Sequence, residues 1–510
     1  MKQKKALICV PVCSASVEAL TREVALAATG ADMIELRLDC LTRSEFEVSA
    51  PAIKAAQETG VPLIVTLRSA EEGGQRELPF SERKTFWSTY GESLSPALLD
   101  LELDLVLRFA DDPPPGWDWD RVICSHHNFR GVPAELESLY ERMAATPARI
   151  LKIAVQAHDA VDCLPLFALL ERAGHAGRDL IAIAIGPSGI PTRVLGPAAG
   201  GFLTYGAMAP GRGTADGQLT ARDLAELYRI QQIDRETLIT GLLGFPVGHS
   251  VSPHIHNAAF ASRKMNAVYL PFAVRDVADF IKRMVAPRTS ELNWWLGGLS
   301  VTAPHKVAVM DQLDWIEPAA KEIGAVNTIV VAEQTLRGYN TDALAVLQPV
   351  IDRRGSLRDA RCAVIGAGGV ASAALWSLRN VGAHTTLFAR HELKGQSLAD
   401  KFGARFERLE RNRWAGFDVI INATPLGTLG DLKDSTVATA NQLQDAGLVY
   451  DLVYNPLETR LMREARVAGC EAIGGLSMLV LQAAEQFRLW TNEAAPLEVM
   501  QLAASRAFVD

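Results

Sequence analysis

Several features that would narrow the class of this protein are scarce in its 510 residues. No apolar run approaches the roughly 18 residues that a membrane-spanning helix needs, and the short run after the basic first residues is interrupted by Pro11. Positive charge is not in excess, because the net charge is -8, which argues against a nucleic-acid partner. Apolar residues make up 48% and aromatic residues 7%, as in an ordinary globular protein. We therefore expect a soluble, cytoplasmic protein.

Cysteine is also scarce. The seven cysteines are scattered, and none lies in a CxxC spacing. The two nearest, Cys9 and Cys13, lie either side of Pro11 in a predicted strand. An odd, dispersed set predicts reduced thiols in a reducing compartment, and it disfavours a disulfide framework or a zinc site.

The first 210 residues contain recurring apolar, β-branched runs, and helix-friendly segments separate most of them. The eight runs cover 6–12, 33–38, 63–67, 98–103, 121–125, 150–155, 180–185 and 202–208. Strands that are buried on both faces give continuous apolar runs of this kind. Eight strands alternating with helices predict an α/β fold, a (β/α)8 TIM barrel.

Polar residues stand out in these runs, mostly near their carboxyl ends. Glu35 and Arg37 lie in the second run, Arg68 ends the third, His127 ends the fifth and Lys152 lies in the sixth. The carboxyl ends of barrel strands meet at one mouth, where catalytic groups are found. We expect these side chains to converge there.

The remainder of the chain predicts two further α/β units. The charged segment LAELYRIQQIDRE, 224–236, predicts a short helical connector with a boundary near Ile233, and a new pattern starts at Leu238. A third pattern starts with a strand at 362–365. The predicted domains are a barrel at 1–232, a smaller α/β domain at 233–343 that helices from about 476–510 complete, and a Rossmann-type domain at 344–475.

Lys152 is the most telling residue of the first half, because a charged lysine is costly to bury in an apolar strand. One interpretation is a neutral amine that attacks a ketone, since burial favours the uncharged form. The alternative is a lysine that is paired with a carboxylate of the barrel.

The polar set around Lys152 resembles type I 3-dehydroquinate dehydratase over essentially 6–228. The motifs are IELR, TLRSAEEGG, SHHNF, LKIAV, PTR and TADGQL. The resemblance implies that Lys152 forms an imine with the substrate ketone, that His127 is the general acid and base, and that Glu72 holds this histidine. It implies that Arg193 clamps the substrate carboxylate. The remaining pocket residues implied are Glu35, Arg37, Arg68, Thr214 and Gln218.

Three details qualify this resemblance. His126 adjoins His127, but the family motif places the base immediately before Asn128, so His126 is interpreted as structural. Thr214 stands where the family usually has serine and keeps the hydroxyl. Asp216 stands where proline is usual, and its charge is expected to weaken the binding of an anionic substrate.

A dinucleotide fingerprint begins the third unit. Gly366-x-Gly368-Gly369 follows a predicted strand and precedes a helix at 372–378, where backbone amides and the helix dipole can hold a pyrophosphate. The next strand ends at Arg390 rather than at an acidic residue. Arginine suits a 2′-phosphate, so the sequence predicts NADP, while a solvated strand-end arginine is the alternative.

Further motifs resemble shikimate dehydrogenase over about 238–490. They are GFPVGHSVSPHIHN, GGLSVTAPHK, IGAVNT, GYNTD, NATPLGT, YDLVYNP and GGLSMLVLQAAEQF. The resemblance implies that Lys306 and Asp342 form the catalytic pair beside the C3 oxygen of the substrate. Implied substrate-binding residues are Ser250, Ser252, Thr302, Asn327, Tyr454 and Gln482. Thr424, Gly475 and Met478 are implied on the nicotinamide side.

The second half also departs from its family pattern. Ser300 replaces the usual asparagine, and Ala389 and His391 flank Arg390 where Asn and Thr are frequent, which bears on the choice of cofactor. His249, His254, His256 and His305 invite a metal site, but no carboxylate cluster completes one, and no metal is expected.

Together the two resemblances imply two enzyme activities that act on successive small-molecule intermediates, 3-dehydroquinate and then 3-dehydroshikimate. A metabolite sensor built on the same folds is the alternative from another class, but the lysines, the base and the glycine turn are all present. A second half that prefers quinate or NAD is a nearer alternative. The oligomeric state stays open, a monomer included.

Overall fold

The computed structural model describes residues 5–248, 250–410 and 414–508. These residues form three sheets, of eight, six and six strands. No helix among them is long and apolar enough to cross a membrane. The expectation of a cytoplasmic protein stays a prediction.

The first sheet is a parallel barrel whose strands follow chain order from β1 to β7, with β8 beside β1. Phe202 N donates to Leu180 O (2.8 Å), which links the segment just before the eighth strand to the seventh strand. The strands are β1 Ile8–Val12, β2 Met33–Arg37, β3 Leu63–Thr66, β4 Leu98–Glu102, β5 Val122–Asn128, β6 Ile150–Gln156, β7 Asp179–Ile185 and β8 Thr204–Tyr205. The helices are α1 Val17–Ala27, α2 Arg43–Glu47, α3 Ala50–Glu58, α4 Phe80–Tyr90, α5 Leu103–Asp111, α6 Leu136–Ala144, α7 Leu164–His175 and α8 Ile190–Leu195. The predicted (β/α)8 architecture is confirmed.

The second sheet has the order β10-β9-β11-β13-β14-β12. Its strands are β9 Leu238–Gly244, β10 Ala267–Ala273, β11 Leu296–Val301, β12 Trp315–Ile316, β13 Thr328–Ala332 and β14 Thr335–Tyr339. Its helices are α9 Ser252–Ser262, α10 Val277–Phe280 and α11 Pro318–Ile323. Apolar side chains of two helices from the end of the chain, α17 Leu476–Thr491 and α18 Leu497–Arg506, share a core with α9.

The third sheet is fully parallel, and its strands lie in the order 3-2-1-4-5-6 of a Rossmann fold. The strands are β15 Arg361–Ile365, β16 His384–Ala389, β17 Arg405–Arg408, β18 Val419–Asn422, β19 Leu448–Asp451 and β20 Ala472–Ile473. The helices are α12 Asp342–Arg354, α13 Gly369–Asn380, α14 Glu392–Phe402, α15 Ala440–Leu443 and α16 Arg460–Val467. A ligand crevice is expected between β15 and β18, where the strand order reverses.

Two local expectations are wrong. Cys13 and Cys40 form a disulfide, because they follow the adjacent strands β1 and β2 and so meet despite being 27 residues apart in sequence. The other five cysteines are free and buried. The connector is not one helix, because Arg229 adopts a left-handed conformation (φ 50°) between two helical turns, at Asp223–Leu227 and Ile230–Gln232.

Candidate active sites

The nine side chains predicted in the first half line one cavity at the mouth of the barrel, hereafter the barrel cavity. They come from six strands or the segments that follow them, and they are Glu35, Arg37, Arg68, Glu72, His127, Lys152, Arg193, Thr214 and Gln218. Tyr205 of β8 also lines this cavity, although no motif in the sequence points to it. The fold therefore brings the nine predicted residues together.

Lys152 lies in β6 and is buried, with 6% of its surface exposed. Its Nζ donates to Asp100 Oδ2 (2.8 Å) and to Glu35 Oε1 (3.3 Å), and it lies 4.5 Å from the centre of the Tyr205 ring. The lysine is thus paired with carboxylates of the barrel, as the alternative interpretation stated. Its amine also faces the barrel cavity, where it is available as a nucleophile.

Arg68 holds the other oxygen of Asp100. Its guanidinium donates to Asp100 Oδ1 (2.7 Å) and to Ser125 Oγ (2.8 Å). Burial alone would raise the pKa of Asp100, but the Arg68 and Lys152 charges outweigh it and hold the pKa well below its usual range. Asp100 is therefore a fixed anion between two cations.

Glu72 positions His127. Its Oε2 accepts from the His127 backbone N–H (3.1 Å) and lies 3.0 Å from His127 Nδ1. Because a carboxylate can only accept, Nδ1 carries the proton and Nε2 keeps a free lone pair. Burial, assisted by the Arg68 charge, lowers the pKa of His127 to about 3, so the ring is neutral at pH 7. His126 also contacts Glu72, at 3.5 Å from Nδ1 to Oε1.

Burial would raise the pKa of Glu72, but His126, His127 and Arg68 together hold it far below its usual range. The carboxylate therefore stays charged wherever the barrel is folded near neutral pH. This permanent charge is what fixes the orientation and the tautomer of His127.

Two arginines at the mouth differ in their partners. Arg37 is bound in bidentate fashion by Asp39, through Nε to Oδ1 (2.9 Å) and Nη2 to Oδ2 (2.8 Å). Arg193, on α8, is 2% exposed and forms no ion pair within the described part of the chain. Burial lowers the pKa of Arg193 to about 10, and the exposed Asp216 acts in the opposite direction. Among the described residues that line the barrel cavity, Arg193 is therefore the cation without an anionic partner.

Thr214 and Gln218 close one side of the barrel cavity. The Thr214 backbone N–H donates to Gln218 Oε1 (2.8 Å), which fixes the amide so that Nε2 is the group left for other partners. Both residues lie in a loop after β8, the segment in which the family motif TADGQL occurs.

A second cavity, of about 340 Å³, lies between the second and third sheets and is hereafter the dehydrogenase cavity. Its predicted lining residues are Ser250, Ser252, Thr302, Lys306, Asn327, Asp342, Tyr454, Gly475, Met478 and Gln482. Lys306 Nζ lies 2.6 Å from Asp342 Oδ2, and Asp342 is the first residue of α12. All eight residues predicted for catalysis or substrate binding in this half thus meet.

A third cavity, of about 300 Å³, lies at the carboxyl ends of β15, β16 and β18. Gly366, Gly368, Arg390 and Thr424 line it. Gly366 has φ +120°, and a Cβ there would lie 2.7 Å from the Ala423 carbonyl oxygen, so only glycine fits. The added Cβ of Gly369 would lie 3.6 Å from Lys306 Cδ, which places the start of α13 between this cavity and the dehydrogenase cavity.

The residues around this third cavity suit a dinucleotide. The tight turn at Gly366 and the N-terminus of α13 can receive a pyrophosphate. Arg390, directly after β16, is exposed, and Lys394, in the first turn of α14, lines the same cavity although no motif points to it. These two cations fit an extra phosphate on the ribose.

Other residues near the sites were missed from sequence. Asp100 lies in the predicted run LLDLEL, where an acidic residue between leucines was the available signal, and Asp39 follows Arg37 by two residues. The histidines considered for a metal have other contacts: His305 Nε2 lies 2.7 Å from Val274 O, and His256 stacks on Tyr269. His249 lies outside the described residues.

The fold and the cavities define a class of protein, a two-site enzyme in which a (β/α)8 barrel with a buried lysine precedes a dinucleotide-binding oxidoreductase unit. Comparison with known families agrees. The type I 3-dehydroquinase family matches residues 8–235, the shikimate dehydrogenase substrate binding domain matches 242–329, and the shikimate 5'-dehydrogenase C-terminal domain matches 475–502.

Individual relatives match either the whole chain or its second half. The bifunctional 3-dehydroquinate dehydratase/shikimate dehydrogenase of Arabidopsis thaliana is 32% identical over 97% of this chain and 83% of its own length. A shikimate dehydrogenase (NADP(+)) of Dehalococcoides mccartyi is 39% identical over 52% of this chain and 95% of its own. A crystal structure of a shikimate dehydrogenase in complex with NADP+ is 35% identical, covering 55% of this chain and 98% of its own, with a TM-score of 0.49.

The Arabidopsis relative matches both halves in one chain and in the same order as the family matches. This chain therefore belongs to the family of bifunctional 3-dehydroquinate dehydratase/shikimate dehydrogenases.

Proposed function

We propose that this chain dehydrates 3-dehydroquinate to 3-dehydroshikimate in the barrel cavity and reduces that product to shikimate with NADPH in the dehydrogenase cavity. The proposal rests on one observation. Two sets of side chains, selected from separate segments of the sequence, each line a single cavity, and the two cavities lie in different units of the chain.

In the first reaction, Lys152 attacks the C3 ketone and forms an imine with loss of water. Glu35, which contacts its Nζ, is the carboxylate available to take the ammonium proton before attack, because Arg68 holds Asp100 as an anion. The imine acts as an electron sink that acidifies the C2 proton. His127 removes this proton through Nε2.

The same histidine then returns the proton to the departing hydroxyl, which leaves as water, and hydrolysis of the imine releases the product and the Lys152 amine. Glu72 keeps the ring in the required tautomer through both transfers. Arg193, buried without an ion pair among the described residues, receives the substrate carboxylate. Glu35, Arg37, Arg68, Thr214 and Gln218 complete the polar lining.

In the second reaction, Lys306 donates the proton that the C3 oxygen gains, and Asp342 holds the lysine amine and the same oxygen. NADPH, when bound, supplies the hydride. Ser250 and Ser252, joined by a bond from Ser252 N to Ser250 Oγ (3.2 Å), take the substrate carboxylate. Thr302, Asn327, Tyr454 and Gln482 contact the ring and its hydroxyls.

The cofactor is held by the third unit. Gly366, Gly368 and Gly369 admit the pyrophosphate, Arg390 binds the 2′-phosphate, and Thr424, Gly475 and Met478 line the approach to the nicotinamide. We also propose the domain limits 1–232, 233–343 with about 476–510, and 344–475, which the three separate sheets support.

A coupled assay tests the proposal. Purified protein given 3-dehydroquinate and NADPH is expected to form shikimate. Lys152→Ala stops the dehydration but not the reduction of added 3-dehydroshikimate. Lys306→Ala stops the reduction but not the dehydration. A mixture of the two variants restores the conversion of 3-dehydroquinate to shikimate. Borohydride is expected to trap substrate on Lys152. If no adduct forms and no dehydration occurs, the assignment of the barrel cavity is wrong. If the second site turns over quinate faster than shikimate, or works faster with NAD than with NADP, its assigned substrate or cofactor is wrong.

A further inference from the structure

A buried glutamine in the wall of the dehydrogenase cavity has no role in the reaction described above. Gln486 lies on α17, one turn after Gln482, so both side chains are on one face of the helix. It is 1% exposed and contributes to the cavity wall. A buried amide costs free energy unless its donor and acceptor are both used.

Both ends of Gln486 are bonded, to two different strands. Its Oε1 accepts from Ser300 Oγ on β11 (2.9 Å), and Ser300 Oγ accepts from the Tyr269 hydroxyl (2.8 Å). Its Nε2 donates to Thr328 Oγ1 on β13 (3.1 Å). The amide therefore bridges the strand before Thr302 and the strand after Asn327.

These hydrogen bonds form a chain in which each group donates to the next, from Tyr269 towards Asn327. Thr328 Oγ1, which accepts from Gln486, donates in turn to Asn327 Oδ1 (2.9 Å). The Thr341 backbone N–H also donates to Asn327 Oδ1 (2.8 Å), and Asn327 Nδ2 donates to Thr341 Oγ1 (3.0 Å). The oxygen of Asn327 is thus occupied from two sides.

This arrangement fixes which group Asn327 can present. With Oδ1 occupied and one N–H bonded to Thr341, only the second N–H of Asn327 remains for the cavity. A substrate oxygen opposite it must accept a hydrogen bond. If Gln486 could not donate, the Thr328 hydroxyl could turn away from Asn327, and the contacts with Thr341 alone would hold the Asn327 amide.

We propose that Gln486 is a positioning residue that contributes to the specificity of the dehydrogenase site. Through Thr328 it adds to the hold that Thr341 has on Asn327, as a hydrogen-bond donor to one ring hydroxyl of the substrate, and through Ser300 it anchors the strand that precedes Thr302. This inference rests on the proposed function. Gln486 itself touches no reacting atom in this account, so its effect is on recognition of the ring rather than on proton transfer.

Gln486→Leu tests the proposal, because leucine keeps most of the volume and removes both polar ends. The KM for shikimate is expected to rise about tenfold, as for loss of one hydrogen bond, while kcat and the KM for NADP stay within about twofold. Analogues of shikimate that lack the 4- or the 5-hydroxyl supply the sharper readout. The analogue that lacks the hydroxyl facing Asn327 is expected to bind the unaltered protein less tightly than shikimate does, and this difference is expected to be smaller in Gln486→Leu.

Gln486→Glu covers the case in which the leucine variant does not fold. A neutral carboxyl group can accept from Ser300 and donate to Thr328, whereas a carboxylate can only accept, and burial raises the pKa of a carboxyl group. The variant is expected to bind shikimate normally at low pH and weakly at high pH. The exposed Gln501→Leu on α18 is the matched control and leaves both activities unchanged.

Two results would overturn the inference. The first is that Gln486→Leu keeps the full difference in affinity between shikimate and the analogue, while shikimate binding by Gln486→Glu does not change with pH. The second is an equal fall in kcat for every substrate, which would indicate that Gln486 acts through packing alone. Dehydratase activity, measured in the same samples, reports that the barrel is intact. Absence of shikimate turnover by the unaltered protein would instead remove the proposed function itself.

Discussion

Lys152 and Asp100 form a buried ion pair, 2.8 Å from Nζ to Oδ2, between the sixth and fourth strands of the barrel. Both side chains are almost fully buried, and Arg68 occupies the second oxygen of Asp100 at 2.7 Å. One carboxylate therefore neutralises much of the charge of two cations. Such a group is costly to remove, because its partners cannot reach water.

We expect Asp100→Asn to destabilise the barrel by about 3–5 kcal/mol, the usual cost of breaking a buried pair. Dehydratase activity should fall with it, while reduction of 3-dehydroshikimate continues. Thermal unfolding followed by circular dichroism measures the change. Adding Lys152→Met to Asp100→Asn should recover part of the loss, because one uncompensated charge is removed.

Asp112→Asn is the control for that experiment, since this aspartate is 70% exposed and its pair with Arg108 is a surface contact. It should leave the unfolding temperature nearly unchanged. Equal effects of Asp100→Asn and Asp112→Asn would contradict the role given to the buried pair.

The low pKa of His127 predicts how barrel stability depends on pH. Its folded pKa of about 3 lies below the ordinary 6.5, so the unfolded state binds more protons between these values. Stability is therefore lost as pH falls from about 6.5 towards about 3. Glu72, whose folded pKa is also lowered, acts in the same direction below about pH 4.5.

His127→Gln removes the histidine contribution, and the slope of unfolding free energy against pH between 4.5 and 6.5 should flatten. Urea titrations at several pH values measure this slope. His175→Gln, at the exposed end of α7, should keep the original slope. An unchanged slope in His127→Gln would indicate that the ring is charged in the folded protein.

Much of the barrel could be predicted because parallel strands buried on both faces are continuous apolar runs. The prediction was poorest where polar residues enter a strand. The fifth strand runs to Asn128, beyond the predicted end at Ser125, because His126, His127 and Asn128 continue the ladder while facing the mouth. The polar functional side chains thus interrupt the continuous apolar run by which a buried strand is recognised.

The motifs predicted the residues of the candidate sites, but they did not predict the residues that hold those side chains in place. Asp100 and Gln486 have no special sequence spacing, and their importance comes from contacts 52 residues away with Lys152 and 186 residues away with Ser300. The pair Cys13 and Cys40 was missed for the same reason. Motifs identify the groups that carry the chemistry, whereas the groups that orient them depend on which strands are neighbours in the fold.

Arg390, directly after β16, and Lys394, in the first turn of α14, predict the choice of cofactor. Arg390→Ala should raise the KM for NADPH about 10-fold to 100-fold, the range for one charge-assisted hydrogen bond, with little change in the KM for NADH. Lys394→Ala should add to this effect, because Lys394 lines the same cavity. Steady-state kinetics with both cofactors measures the ratio.

Arg405→Ala is the matched control, because this arginine lies on the neighbouring strand β17 and its side chain is 78% exposed. It should leave both KM values unchanged. A parallel rise for NADPH and NADH in Arg390→Ala would show that the arginine does not read the 2′-phosphate.

Arg275 joins the two catalytic units. Its Nε donates to His158 O (3.0 Å) and its backbone N–H donates to Asp159 Oδ2 (2.6 Å), both in the loop after the strand that carries Lys152. Its guanidinium lies 4.0 Å from the centre of the Phe245 ring, at the start of the loop that leads to Ser250. Arg275 thus contacts both the loop that follows the Lys152 strand and the residue that begins the loop to Ser250.

Arg275→Met removes the bond to His158 and the contact of a cation with the Phe245 ring, which is worth about 0.5–2 kcal/mol. We expect the KM for shikimate to rise several-fold, because the loop before Ser250 loses a contact that holds it. We also expect the two halves to unfold at more widely separated temperatures in scanning calorimetry. Lys282→Met, an exposed change nearby, should do neither. If Arg275→Met leaves the KM and the calorimetric trace as they were, the bridge carries no coupling, and the two halves are held together by apolar contacts such as that of Phe167 with Trp294.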